Sequence, residues 1–253
     1  MMSDPVPDEH APYADEARAR LAVSAAAREL SDSARGFVPI SPGSLDQARH
    51  RPQLLANEIE VAARLVDQAE LVLETLLGYA AVSGATWEVL GEGLGMARQN
   101  ANGKYRGVVK AFRAGLDDPD RDDDAGRWFQ ANHYAAIEPD RWAPRLDAWM
   151  EHHREPTEGV PPTAAVSGGL TRLGPLAEWI AVGNQRSALL HDYLVPPADK
   201  VLPLAERELQ LLRQLAAAGH DVAEDVTRME KKISELRATL PATEPADTSG
   251  EPA

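Results

Sequence analysis

The chain has 253 residues, 43% of them apolar, which is enough to bury a core in one large domain or two small ones. A formal net charge of −14, with a pI near 4.9, excludes attraction to nucleic acid or anionic membrane by overall charge, so a polyanion must meet a local basic patch. The absence of cysteine excludes disulfides, thiolate metal sites and cysteine nucleophiles.

The first residues, MMSDPVPDEHAPYADEA, are acidic and proline-rich, with neither the basic start nor the apolar run of a signal peptide. No apolar stretch approaches the length that spans a bilayer, and the chain is expected to be cytoplasmic with no membrane partner. Apolar residues recur at spacings of three and four rather than two, which predicts an all-α fold. Residues 1–16 lack that periodicity and are expected to be a disordered acidic N-terminus, followed by a helical domain over 17–116.

Between Pro52 and Ser83, Ile59, Ala62, Val66, Ala69, Leu73, Leu76 and Ala80 form a stripe that Leu65, Val72 and Tyr79 widen. This spacing predicts one long amphipathic helix starting near Pro52, with Gly84 as a left-handed cap.

Residues 86–105 read TWEVLGEGLGMARQNANGKY. A phosphate-binding loop does not fit. The P-loop pattern needs glycine where Arg98 stands and Ser or Thr where Tyr105 stands. A dinucleotide fingerprint needs its third glycine one residue beyond Gly95 and a strand before it. Two short helices fit better. Trp87, Leu90 and Leu94 share a face of the first, Gly95 suits a left-handed turn, Met96 fills the space beneath, and Gly91 allows close approach. Ala101 and Tyr105 give the second helix an apolar edge, opposite which Arg98, Gln99, Asn102 and Arg106 are expected to point.

This stretch resembles the helix-turn-helix segments of many actinobacterial DNA-binding proteins. Their pattern is Ser/Thr-Trp, two residues, Ile/Leu-Gly, two residues, Leu-Gly, an apolar residue, Ser/Thr, Arg-Gln and, one residue on, alanine. Thr86, Trp87, Leu90, Gly91, Leu94, Gly95, Met96, Arg98, Gln99 and Ala101 match it, over about twenty residues of the chain. The resemblance implies binding of double-stranded DNA, with the second helix in the major groove. Two positions depart from it. Ala97 replaces the usual Ser/Thr cap, a loss of about 1 kcal/mol, and Gly103 lowers helix propensity by roughly 0.5 to 1 kcal/mol. Both predict a recognition helix that is short or orders fully only on DNA.

Charge supports the same reading independently. From Gly93 to Leu116 there are five basic residues and no acidic one, a segment of +5 that leaves −19 on the rest of the chain. Arg98 has the fork for guanine, Gln99 and Asn102 the paired donor and acceptor for adenine. Lys104, Arg106, Lys110 and Arg113 suit phosphates. A transcriptional regulator that pairs as a homodimer is the expectation, since one short helix reads few bases. Either the long helix before the motif or the C-terminal helices are candidates for the pairing.

Asp117 to Asp124 holds six aspartates and one arginine, read as a solvated acidic loop in preference to a mask over the basic helix. Residues 125–195 are expected to form a second helical subdomain around Trp128, Trp142, Trp149 and Trp179, with a ligand pocket or partner groove as the alternative. His133, His152 and His153 lack the i, i+4 spacing of a metal pair, and no metal or cofactor is expected. No serine, histidine and carboxylate constellation names a nucleophile, so no enzyme is expected. Residues 196–240 read as a helical hairpin or coiled coil, with Val222, Val226, Met229, Ile233, Leu236 and Leu240 on a heptad seam, and 241–253 as a disordered tail. The competing function is a protein-interaction or structural role through residues 125–240.

Overall fold

The structure, a computed structural model, describes residues 11–43, 49–51, 53–153, 163–193 and 196–240. Among them are ten α-helices and one short 3-10 turn, and no strand element. No described helix is long and apolar enough to cross a membrane. The expected disorder of residues 1–10 and 241–253 lies outside the described residues.

The chain divides into two compact units, residues 13–171 and a C-terminal unit that includes 172–240. The first holds α1 (Asp15–Arg35), α2 (Leu54–Val82), α3 (Trp87–Gly93), α4 (Arg98–Asp117), α5 (Asp124–Asn132), α6 (Tyr134–Ile137) and α7 (Pro139–His153). The second holds α8 (Pro175–Asp192), α9 (Ala198–Ala217) and α10 (Ala223–Thr239). This boundary corrects the expected 125–195 subdomain, and the reason is packing. The small, buried face of α1 meets α2 and α4 on one side and α6 and α7 on the other, drawing the segment after residue 124 into the first unit. Trp179, on α8, instead packs with the C-terminal helices. Residues 15 and 16, expected to be disordered, form the first turn of α1.

Phe112 of α4 lies at the centre of the first unit. It is fully buried with Ala19 and Ala22 of α1, Leu116, Phe129 and Ala136. A Cβ added at Gly78 of α2 would sit 2.4 Å from the Phe112 ring, and one at Gly115 would sit 2.4 Å from Phe129, so both rings nest where neighbouring helices have no side chain. Phe112 meets Phe129 edge-on at 5.6 Å between centroids.

His133, between α5 and α6, closes this aromatic cluster. It is fully buried, within 5.0 Å of Phe112, 4.8 Å of Trp128 and 4.7 Å of Phe129, and neither ring nitrogen has a hydrogen-bond partner. Removal from water disfavours the imidazolium and lowers its pKa from 6.5 to about 4.

Only the C-terminal half of α2 is packed. Thr75, Leu77, Gly78 and Ala81 are buried, whereas Ile59, Val66 and Leu76 of the apolar stripe remain 69%, 60% and 44% exposed. The helix has 29 residues, about 43 Å at 1.5 Å per residue, and the other helices of its unit cover only its end.

The loop from Asp118 to Asp123 is more organised than the solvated run expected from its charge. Asp123 caps α5 by accepting from the Gly126 amide at 2.8 Å and pairs with Arg121 Nε at 2.9 Å, which together hold its carboxyl below the ordinary value. Asp120 accepts from Gln130 at 3.1 Å, and Asp124 pairs with Arg127.

In the C-terminal unit α9 packs against both α8 and α10, and Ala205, Leu212, Met229 and Ile233 are buried between them. The heptad seam of α10 therefore faces its own unit. Two carboxylates are buried across α8 and α9. Glu178 receives Arg207 in a bidentate pair, with Nε to Oε1 at 2.5 Å and Nη2 to Oε2 at 2.9 Å, and Glu208 pairs with Arg186 at 3.0 Å. Reciprocal pairs of this kind fix one register between the helices, because a slip leaves charge buried without its partner.

Because folded His133 binds its proton more weakly than the unfolded chain does, its contribution to stability is complete above pH 6.5. It is lost as the pH falls towards 4. Urea denaturation followed across this range should show the first unit losing about 3 kcal/mol, and a His133→Leu variant should flatten that part of the profile.

Candidate nucleic-acid interface

Thr86 begins α3, its side chain accepting from the Val89 amide at 3.5 Å. The helix ends with Gly95 at φ +65°, while the Gly95 amide bonds Glu92 O at 3.1 Å and the Met96 amide bonds Gly91 O at 2.9 Å. This is a Schellman cap, which satisfies the last carbonyls of α3 and turns the chain sharply into α4. The end of α2 repeats the arrangement, with Gly84 at φ +88° and Ala85 bonded to Ala80 O at 2.9 Å.

Gly91 fixes the angle between the two helices. A Cβ there would lie 2.8 Å from Met96 O and 3.3 Å from Arg98 N. Leu90, Tyr105 and Val109 are buried with Leu77 and Ala81 of α2, and Trp87, Leu94 and Met96 pack around them. Ala101 is fully buried beside this cluster on the inner face of α4. Trp87, Leu90, Leu94, Met96 and Tyr105, five of the residues expected to be structural in this stretch, therefore pack in a single core shared by α2, α3 and α4, while Gly95 is exposed at the turn.

Ala97 stands at the N-cap of α4 without a side-chain bond, as its residue type requires. The helix nevertheless runs twenty residues through Gly103 and Gly107 to Asp117, which corrects the expectation of a short element. The magnitudes explain this. Two glycines and a missing cap cost about 3 kcal/mol together, whereas each of Tyr105, Val109, Phe112 and Leu116 gains roughly 1.5 to 3 kcal/mol by burial.

The side chains expected to contact DNA divide into three groups. Arg98, Gln99, Arg106 and Lys110 are exposed on α4, and the last three share the face opposite the core. Asn102 lies at the edge of the buried side, half-buried, and its Oδ1 has no hydrogen-bond partner. Asn100 is exposed in the first turn instead. The sequence reading missed it because only two residues anchored the apolar edge. Phe112 and Leu116, about two and three turns beyond Tyr105, place the edge nearer to Asn102.

Lys104 is exposed but turned towards α2. It lies 4.8 Å from the Tyr105 ring, and its pKa is raised first by the Tyr105 hydroxyl and then by Glu70 and Glu74. Arg113 is exposed, and its Nη2 donates to Ala81 O at the C-terminal end of α2, a favourable position for a cation beside the helix dipole. Of the five basic residues in the segment, Arg98, Arg106 and Lys110 thus remain on the outer surface away from these partners. Gly103 and Gly107 lie between them with nothing within 4 Å of an added Cβ, leaving the backbone open to close approach. No group of three or more His, Cys, Asp or Glu side chains suited to a metal occurs among the described residues.

The two kinds of glycine should respond oppositely to alanine. Gly91→Ala forces a backbone shift and should lower stability by about 2 kcal/mol, whereas Gly103→Ala should raise it by roughly 0.5 to 1 kcal/mol. Thermal unfolding of the two variants checks both signs.

Comparison with protein-family models, with curated proteins and with solved structures finds no match, so the chemistry of this surface is read from its own residues and their arrangement.

Proposed function

We propose that the chain binds double-stranded DNA sequence-specifically, with α3, the Gly95 turn and α4 acting as a helix-turn-helix whose second helix enters the major groove. The observation that carries this reading is the outer face of α4. Arg98, Gln99, Asn100, Gly103, Arg106, Gly107 and Lys110 are all exposed, none of them acidic, on a helix anchored by its other side in a chain of −14. A major groove about 12 Å wide accepts such a helix. Arg98 and Gln99, in the first turn, are suited to base edges, and Arg106 and Lys110 to phosphates.

A homodimer acting in transcriptional regulation completes the proposal. The C-terminal seam is occupied within its own unit, but the outer side of α2 is not. Leu55, Ile59, Ala62, Val66 and Ala69 follow heptad spacing there, all exposed, with β-branched Ile59 and Val66 at equivalent positions. Two copies paired along α2 would present two copies of α4 to successive half-sites.

Fluorescence anisotropy on duplex DNA tests the binding. Affinity should fall steeply with salt, Arg98→Ala with Gln99→Ala should weaken it at least tenfold, and Arg106→Gln or Lys110→Gln should each flatten the salt slope by about 2 per dimer. Equal binding by all of these proteins would overturn the assignment. In light scattering, Val66→Glu should halve the mass of the wild-type particle, and an unchanged mass would remove α2 as the dimer contact.

A further inference from the structure

A cavity of about 500 Å³ opens between α1, α7 and the 165–170 segment, entirely within the first unit. Its floor is apolar: Leu21 and Leu146 are buried, and Trp149 and Leu170 line the sides. Among the described residues the ionisable side chains lining it are Arg20 and Arg28, both from α1.

The neighbouring carboxylates are already engaged. Asp32 accepts from Trp149 Nε1 at 2.8 Å and stands 3.6 Å from Arg28 Nε, which is buried without a hydrogen-bond partner. Asp147 accepts from the amides of Val166 at 2.7 Å and Ser167 at 3.1 Å, holding the 165–170 wall in place. Arg20 reaches the Ser24 hydroxyl at 3.4 Å and has no carboxylate partner among the described residues. Arg28 is thus partly balanced by Asp32 and Arg20 is not balanced by any described carboxylate, and an apolar chamber of this size with net positive charge at one wall matches small molecules that combine an apolar body with a negative group.

We propose that this cavity binds a small amphipathic anion, an aromatic or branched-chain acid, with its apolar body against Leu21, Leu146 and Trp149 and its acid group at Arg20 and Arg28. The site also has a route to the DNA-facing helix. The helix that supplies both arginines carries Ala19 and Ala22 against Phe112 and Leu116 of α4, so a ligand that shifts α1 shifts the support of α4. The regulatory consequence rests on the DNA-binding reading, whereas the binding itself does not.

The test therefore uses ligand binding without DNA. The full-length protein is titrated with the anionic probe 8-anilinonaphthalene-1-sulfonate and with its uncharged relative N-phenyl-1-naphthylamine. Wild type should bind the anion saturably, one per chain. Arg20→Gln should weaken the anion about tenfold and leave the neutral probe unchanged. Ala27→Trp fills the mouth from an exposed position of α1 and should abolish both, with an unaltered circular dichroism spectrum. Absence of saturable binding, binding that survives Ala27→Trp, or equal loss of both probes in Arg20→Gln would overturn the site. Hydrogen exchange with the anionic probe bound should slow in residues 109–116 as well as in 20–28. A change confined to 20–28 and 146–170 would overturn the link to α4.

Discussion

The burial of Phe112 is the contact on which the first unit depends. Its ring fills the notch at Gly78, meets Phe129 and His133 edge-on, and lies against the alanines of α1, so a single side chain ties α4 to α1, α2 and α5. The N-terminal half of the same helix is anchored on its inner side by the buried Ala101 and Tyr105, which leaves its outer side free. That half carries the exposed arginines, amides and glycines. Rigid support behind an exposed, polar, weakly helical surface is what a reading helix needs, because contacts to base edges demand positions fixed to a fraction of an ångström.

Charge operates on the same division. The +5 of the segment is not presented as +5, since Arg113 caps the end of α2 and Lys104 is balanced by Glu70 and Glu74. All five cations are exposed, but only Arg98, Arg106 and Lys110 lie away from such partners, which gives pairing of two chains its place in the proposed DNA binding. A monomer with so few contacts binds weakly at physiological salt, and two copies on one duplex double the counterions released. The bare apolar side of α2 supplies a physical route to that pairing, while the ion pairs of Glu178 and Glu208 keep the C-terminal helices in register within their own unit.

Much of the turn and its core was legible in the sequence. Gly84 and Gly95 are left-handed, Gly91 sits where a side chain would strike Met96 O, and the expected structural residues pack together. These features follow from local rules of spacing and backbone sterics. What the sequence hid is set by tertiary contacts. Periodicity in α2 shows an apolar side but not what covers it, so the sequence leaves open which part of the stripe packs within the unit and which part stays exposed. The length of α4 was underestimated because local propensity counts Gly103 and ignores Phe112 and Leu116. No sequence rule places Ala81 O beside Arg113. Tryptophans clustered in sequence divide between two units, because Trp128 and Trp142 pack against clusters that include α1 whereas Trp179 packs with α9 and α10.

The most direct measurement is hydrogen exchange by mass spectrometry of the full-length protein, with and without a random-sequence duplex at low salt. The account predicts slowed exchange across residues 94–110, with residues 198–239 unaffected. Protection confined to 139–153 or to 198–239, with α4 exchanging as in the free protein, would contradict it and move the function to those helices.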